Sequence, residues 1–525
     1  TLEGGPGRAI KATVATLREY ETIVAEARST FNPLAPWQLL PTLARAQARL
    51  DRAAAELQAV GSAGGGAALQ DVQFHLQAEV ADLRAVILSA ANVHLDVISD
   101  EATVVPGQTF RLEVSLWNGG IAPVRADAGP LLPPGWTAVP LDGRTLTAQP
   151  GRRSAAAWDV TVPTGADPSM PYYLDPRGPD PVDMYAWPDD TSVRGLPFAP
   201  PPVRGSFLVS LEGVGAPIPA ELDAAHIAVD ARDGQSREPV KVVPAVSLSA
   251  GPGLAVVRSG AVEPFEVAVR LRSQAPGGVR GTVTLDVPER WSAAPGRVPV
   301  SFDDQGAEES LTFRVRPPDD VRAGAYRVRA HLRTEADTFD LGYDVIDYPH
   351  IDPHHLFDPA VVRARVMDVR VADVRVGYVP GAGDGVPEAL DQLGLTWETL
   401  DAGALAAGSF DRFDVIVTGI RAYEVNDALV ANNQQLLGWV RDGGTLLVQY
   451  NKYPALDRDY TPWPVTIDRP HGRVTDETAP VRILELGHPV FNTPNEIRGS
   501  DWLHWVQERG LYFWETWPET LTPLL

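Results

Sequence analysis

One pattern of alternating residues recurs 155 positions downstream of itself. Phe110, Leu112, Val114 and Leu116 alternate with Arg111, Glu113 and Ser115, and Phe265, Val267, Val269 and Leu271 alternate with Glu266, Ala268 and Arg270. A period of two marks a half-buried strand. The same displacement carries Trp136 onto Trp291, Trp158 onto Phe313, Val160 onto Val315 and Pro163 onto Pro318. The words Pro134-Gly135-Trp136 and Glu289-Arg290-Trp291 correspond as well, each followed by a small-residue turn. Several matches at one displacement define two copies of one unit. Each copy reads as an antiparallel, immunoglobulin-like β-sandwich, over 93–240 and 241–348. The 48 prolines and 46 glycines, enriched for a chain of 525 residues, suit the many turns such sandwiches need.

The first copy carries an insertion at 165–205, with Pro171-Tyr172-Tyr173-Leu174, Met184-Tyr185-Ala186-Trp187 and a Pro-rich tail from Pro197 to Pro202. Tyr and Trp on a loop offer an apolar face with a polar handle. They can stack on a sugar, with Trp187 the candidate, or plug the sandwich edge.

The segments flanking the repeats follow other periods. Residues 1–92 read as helices, because Leu43, Ala46, Leu50, Ala53, Leu57 and Val60 alternate in threes and fours. Leu69, Val72, Leu76, Val80, Leu83 and Ile87 predict a further helix, and Ile10, Val14, Leu17 and Val24 an earlier one. Such an arm packs on itself or a neighbouring domain, or dimerises. Residues 349–372, with His350, Asp352, His354 and His355 among prolines, read as an extended linker; a metal site there is the alternative. From 373 to 525, strand and helix alternate: strands at 374–379, 396–400, 415–418 and 445–450, helices at 387–393 and 427–440. That order predicts a doubly wound parallel sheet. The fold class is thus multidomain: a helical N-terminal segment, two sandwiches and a C-terminal α/β domain.

Charge and composition exclude several functions. The formal charge is −23, and the chain has three lysines, Lys11, Lys241 and Lys452. An acidic chain is a poor partner for nucleic acid or an anionic bilayer. No stretch reaches the roughly 18 apolar residues of a membrane span. There is no cysteine, so disulfides, thiolate metal sites and cysteine nucleophiles are absent. The chain begins at Thr1, as a processed product or a fragment would, and an upstream domain is one expectation.

Ligands of parallel sheets bind at the carboxyl ends of the strands. The candidate loops are Pro380–Gly385, Gly419–Tyr423 and Asn451–Tyr453. Pro380-Gly381-Ala382-Gly383-Asp384-Gly385 reads either as an anion-binding nest or as a tight turn. Arg421, Tyr423, Asn451, Glu508 and Arg509 are candidate ligand-binding residues, with Arg421 as an anion clamp or as an ion-pair partner of Glu508. In the hydrolase alternative, Glu508 is the general acid or base, with His488 or His504 as its partner. No residue is assigned as catalytic and none as a metal ligand.

Val105-Pro106-Gly107-Gln108, a strand, and then Leu131 to Trp136 (LLPPGW) resemble the sandwich domain associated with bacterial glycosidases and other carbohydrate-active enzymes. The α/β element order is similar to the class I glutamine amidotransferase-like fold, with Asn451 near the turn where that fold carries its cysteine. Without cysteine, the amidotransferase reaction is excluded. The whole order of domains, with Trp505-Val506-Gln507-Glu508-Arg509-Gly510-Leu511-Tyr512, resembles the part of long exported PIG-L (LmbE-like) N-deacetylases that follows their deacetylase domain. That family uses zinc bound by His-Pro-Asp-Asp-Glu and His-x-x-His. Here Trp187-Pro188-Asp189-Asp190 puts Trp where zinc needs His, so zinc is expected only in a missing deacetylase domain and no cofactor in this chain. The resemblance implies a periplasmic or extracellular accessory region that positions the enzyme. Its implied partners are an amino-sugar glycan and a deacetylase domain or another envelope protein. A hydrolase with its site in the α/β domain and a structural cell-surface assembly protein are the alternatives. The last residues, Thr520 to Leu525, stop where such an α/β domain normally needs another strand and helix, so it reads as truncated.

Overall fold

The computed structural model describes residues 5–61, 67–174, 189, 191, 193–232, 234–260, 262–348, 350–456, 458, 460–467, 469–476, 478–503 and 509–525. It opens with three helices, α1 (Gly5–Thr30), α2 (Leu40–Gly61) and α3 (Ala67–Ala90). Leu43, Ala46, Leu50, Ala53 and Leu57 are all buried, as their spacing requires. On α1, Leu17 and Val24 pack against the core as their spacing predicts, but Val14 is exposed and Thr13, Thr16, Tyr20 and Ala27 are buried as well. The polar members tolerate burial because they are paired: Thr16 Oγ1 donates to Glu56 Oε2 at 3.2 Å and Tyr20 to Glu79. The core of this arm continues into the first sandwich, so the two are one packed body.

The first sandwich comprises β1 (Val93–Ser99), β2 (Thr103–Val104), β3 (Thr109–Asn118), β4 (Val124–Leu131), β5 (Thr137–Pro140), β6 (Thr145–Ala148), β7 (Arg152–Thr161), β8 (Arg204–Ser210), β9 (Ile218–Asp223), β10 (Ala225–Asp230) and β11 (Gly234–Pro239). One sheet runs β11-β10-β1-β3-β7-β5 and the other β6-β4-β8-β9. Leu112, Val114, Val97, Phe207 and Trp158 fill the space between them.

The second comprises β13 (Val246–Gly251), β14 (Leu254–Arg258), β15 (Phe265–Ser273), β16 (Val279–Asp286), β17 (Ser292–Ala294), β18 (Val298–Phe302), β19 (Glu308–Arg316), β20 (Gly324–Arg333), β21 (Thr338–Phe339), β22 (Asp344–Ile346), β23 (His354–Leu356) and β24 (Val361–Met367); β12 (Lys241–Val242) joins it to the first by pairing with β2. Its sheets run β13-β15-β19-β17 and β14-β24-β20-β16-β18. The repeat is geometric as well as textual. Leu112 opposes Trp158 in one sandwich and Val267 opposes Phe313 in the other. Phe110 meets Trp136 edge-on at 6.3 Å, and Phe265 meets Trp291 at 6.2 Å.

Residues 349–372 do not form the expected linker. β23 pairs with β22, and β24 completes the second sandwich between β14 and β20. Val362, Ala364 and Val366 are buried while Arg363 and Arg365 face water, a strand pattern beyond the prolines that suggested a crossover.

The C-terminal part contains β25 (Arg375–Val379), α4 (Val386–Leu393), β26 (Thr396–Thr399), α5 (Ala402–Ala407), β27 (Val415–Thr418), α6 (Ala422–Val425), α7 (Asp427–Arg441) and β28 (Thr445–Val448). Its four strands are parallel in the order β26-β25-β27-β28. The side chain of Gln392 on α4 accepts from Val256 N at 2.9 Å and donates to Leu254 O at 2.8 Å, fastening this sheet to edge strand β14. No helix among the described residues is long and apolar enough to cross a membrane.

Candidate functional site

The parallel sheet changes winding direction between β25 and β27, and the loops leaving these strands meet there. Asp384 organises them. One carboxylate oxygen accepts from Tyr378 Oη at 2.9 Å and Val386 N at 3.0 Å, and the other from Ile420 N at 2.8 Å. Ala382 N donates to Ile420 O at 2.8 Å. Burial and the Asp384 bond push the Tyr378 hydroxyl up to about 12. The glycine-rich stretch folds as a turn braced by its own carboxylate.

Next to it, Arg421 adopts a left-handed backbone, φ 56°, and donates from its main chain to Tyr450 O at 2.8 Å. Its guanidinium grips Glu424 Oε2 at 2.8 and 3.0 Å, and Glu424 Oε1 accepts from Lys452 N at 2.6 Å. Glu424, only 5% exposed at its side chain, thus ties the loops after β27 and β28 together and raises the Arg421 pKa. Tyr512, also left-handed at φ 58°, stacks on His471 at 4.2 Å and meets Tyr453 at 4.9 Å. Positive φ at two residues other than glycine marks stored strain.

The sequence candidates separate here. Arg421 and Asn451 do lie on neighbouring loops, but Arg421 pairs with Glu424. Asn451 is buried and donates to Gln449 O at 2.8 Å. Tyr423 is a core residue rather than a ligand contact: it is fully buried, donates to Asn433 Oδ1 at 2.8 Å and packs on Tyr460. Arg509 folds back to donate to Trp502 O at 3.1 Å. His488 accepts from Val490 N at 3.2 Å and caps a short turn. Trp187, Glu508 and His504 lie outside the described residues. In the insertion, Tyr172 is an internal tie, accepting from Gly195 N at 2.9 Å and donating to Leu196 O at 3.1 Å.

The two histidines of β23 diverge. His354 stacks on Phe198 at 4.9 Å, while His355 is buried beside Tyr343 and Phe357. Burial, reinforced by Lys241 and His354, pulls the His355 pKa down to about 4. Among the described residues no group of three or more His, Asp or Glu side chains is placed to hold a metal ion.

A cavity of about 510 Å³ opens on the outer face of the first sandwich, where sequence reasoning proposed nothing. Cross-strand register builds it. His94, Trp117 and Arg153 sit abreast on β1, β3 and β7, and Asp96 sits beside Ser115 in the next outward row. Arg237 on β11 reaches across to Asp96 at 2.5 Å. Leu222 and Asp223 close one wall. Trp117 is 41% exposed, and its ring centroid lies 5.2 Å from that of His94. A Cβ at Gly119 would come within 2.3 Å of the indole, so the bare glycine lets the ring lie against the backbone. The available signal was Trp117 itself, a large aromatic residue on the side of the strand where Arg111, Glu113 and Ser115 alternate outward.

Comparison with known proteins places part of this sandwich. Residues 104–174 match the family described as NPCBM-associated, NEW3 domain of alpha-galactosidase. The match runs from the end of β2 through β7, so this segment is similar to a β-sandwich associated with carbohydrate enzymes. No curated protein matches the chain. Among solved structures, a C. elegans MSP family member, WR4, is 9% identical over 23% of this chain and 97% of its own, with a TM-score of 0.14.

Proposed function

We propose that this chain is the accessory, non-catalytic region of a carbohydrate-active enzyme and that it holds the catalytic domain at a glycan. The observation that carries the reading is the match of residues 104–174 to a sandwich family associated with alpha-galactosidase. The strand-end loops of the α/β domain are consistent with it. There Arg421 is engaged by Glu424, Asp384 braces the turn and Tyr423 is core. The order of domains favours a zinc-dependent PIG-L-type N-deacetylase as the parent, acting on an amino-sugar polymer outside the cytoplasm. In that reading, zinc belongs to the deacetylase domain and not to this chain. The α/β part is an amidotransferase-like scaffold without its reaction.

The test is the complete reading frame together with turnover. A His-Pro-Asp-Asp-Glu domain in the same frame is expected, and so is slower acetate release from polymeric substrate when the first sandwich is deleted, with release from a soluble monomer unchanged. A frame holding no carbohydrate-active domain, or equal loss on polymer and monomer, contradicts the proposal.

A further inference from the structure

The cleft on the first sandwich has an unusual electrostatic property. Each charged side chain that lines it has a partner. Asp96 is bound by Arg237 at 2.5 Å, Arg153 by Glu113, and Asp223 by Arg204 at 3.3 Å. With every lining charge already paired, the cleft holds no spare counter-charge to select a charged ligand, and an uncharged polyol needs none. A paired carboxylate keeps free lone pairs and a paired guanidinium keeps free N–H groups, both suited to vicinal hydroxyls. Ser115 adds a hydroxyl to the lining. Trp117 supplies what these groups lack, a broad apolar face for the C–H side of a pyranose ring. The indole is pre-positioned by His94 on the neighbouring strand and by the absence of a side chain at Gly119. The volume, about 510 Å³, falls within the roughly 300–1,000 Å³ of small-molecule clefts.

We infer that this cleft binds an uncharged oligosaccharide, with Trp117 as the stacking platform and Asp96, Arg153 and Arg237 as the hydroxyl-reading groups. The inference rests on the carbohydrate-accessory reading and deepens it by naming the site and the charge class of the sugar. Ser115, Trp117 and Arg153 fall inside the family-matched segment, whereas His94, Asp96 and Arg237 reach the cleft from outside it. N-acetylated amino sugars belong to the class; their de-N-acetylated, cationic products do not. A cleft of this kind would hold an N-deacetylase on unprocessed polymer and release it from processed polymer.

The test is calorimetric titration of the full chain with the tetramer of N-acetylglucosamine, cellotetraose, the cationic tetramer of glucosamine and an anionic tetragalacturonate. At least one uncharged tetramer is expected to bind with Kd of about 1 mM or tighter, and the charged ones at least about tenfold more weakly. Trp117→Ala should weaken the uncharged ligand by about tenfold, and Trp117→Phe should restore most of it. The ring is 41% exposed, so both variants should still fold, with Trp117→Phe melting close to the wild type and Trp117→Ala somewhat lower; binding is compared well below either transition. Equal binding by Trp117→Ala and wild type would overturn the cleft as the site but leave the accessory reading standing. Tighter binding of either charged tetramer would overturn the ligand class. Absence of binding to all four would overturn the inference, while the reading frame and the polymer-against-monomer comparison still judge the accessory role separately.

Discussion

Trp158 in the first sandwich and Phe313 in the second occupy the same place in the repeat, both fully buried, and Trp158→Phe makes the first core copy the second. Two terms oppose each other. Shrinking an indole to a phenyl ring forfeits about 1–2 kcal/mol of packing and transfer energy. The Trp158 Nε1 hydrogen, however, is buried without a partner among the described residues. An unpaired buried donor costs about 1–3 kcal/mol, and the substitution removes it. The net change should be within about 1 kcal/mol of zero. Trp158→Ala loses the whole ring and should cost about 3 kcal/mol, the low end of the usual 3–5 range, for the same reason. Phe313→Ala has no such offset and should cost more. Guanidinium unfolding combined with hydrogen exchange resolved by segment is the assay. Because the helical arm and first sandwich share one core, Trp158→Ala should also lower protection in α2 and α3, while Phe313→Ala should not. A loss above about 3 kcal/mol in Trp158→Phe would show that the indole hydrogen is satisfied. Unchanged protection of α2 and α3 in Trp158→Ala would refute the shared core.

Three further outcomes are expected. Glu424→Gln should destabilise the α/β domain by about 1–3 kcal/mol, read by urea titration, because the buried carboxylate holds both Arg421 and the Lys452 amide. For His355, whose pKa falls from 6.5 unfolded to about 4 folded, the unfolded state binds the proton first as pH drops. Stability should therefore be full above about pH 6.5 and decline towards pH 4, and His355→Gln should flatten that slope in pH-dependent thermal unfolding. Gly381→Ala should disrupt the strand-end turn, since its Cβ would lie 2.2 Å from Ile420 O; circular dichroism melts would show a loss of about 1–3 kcal/mol or more.

The repeat was legible because Phe110 to Leu116 and Val267 to Leu271 obey a local period, and local periods follow directly from which face of a strand is dry. The parallel sheet was legible for a similar reason: Ile416, Leu429 and Leu436 are apolar where burial demands it. The α1 face was legible only in part: Leu17 and Val24 face the core, but Thr16 and Tyr20 are buried through bonds to Glu56 and Glu79 on other helices. β24 was not legible, since the prolines before it masked the alternation of Val362, Ala364 and Val366. The strand-end loops could be named, but not the Arg421–Glu424 pair; Glu508, the partner the sequence suggested, lies outside the described residues. The cleft stayed hidden because its members are distant in sequence. Asp96 and Arg237 are 141 positions apart, and only cross-strand register brings them together.

The central claim is that the chain binds glycan without transforming it. Incubating the full chain with insoluble N-acetylated polysaccharide, and following protein depletion together with released acetate and reducing ends, tests both halves at once. The account predicts that protein leaves solution with the polymer while neither product appears. Release of acetate or reducing ends, or protein that stays wholly in solution, would contradict it.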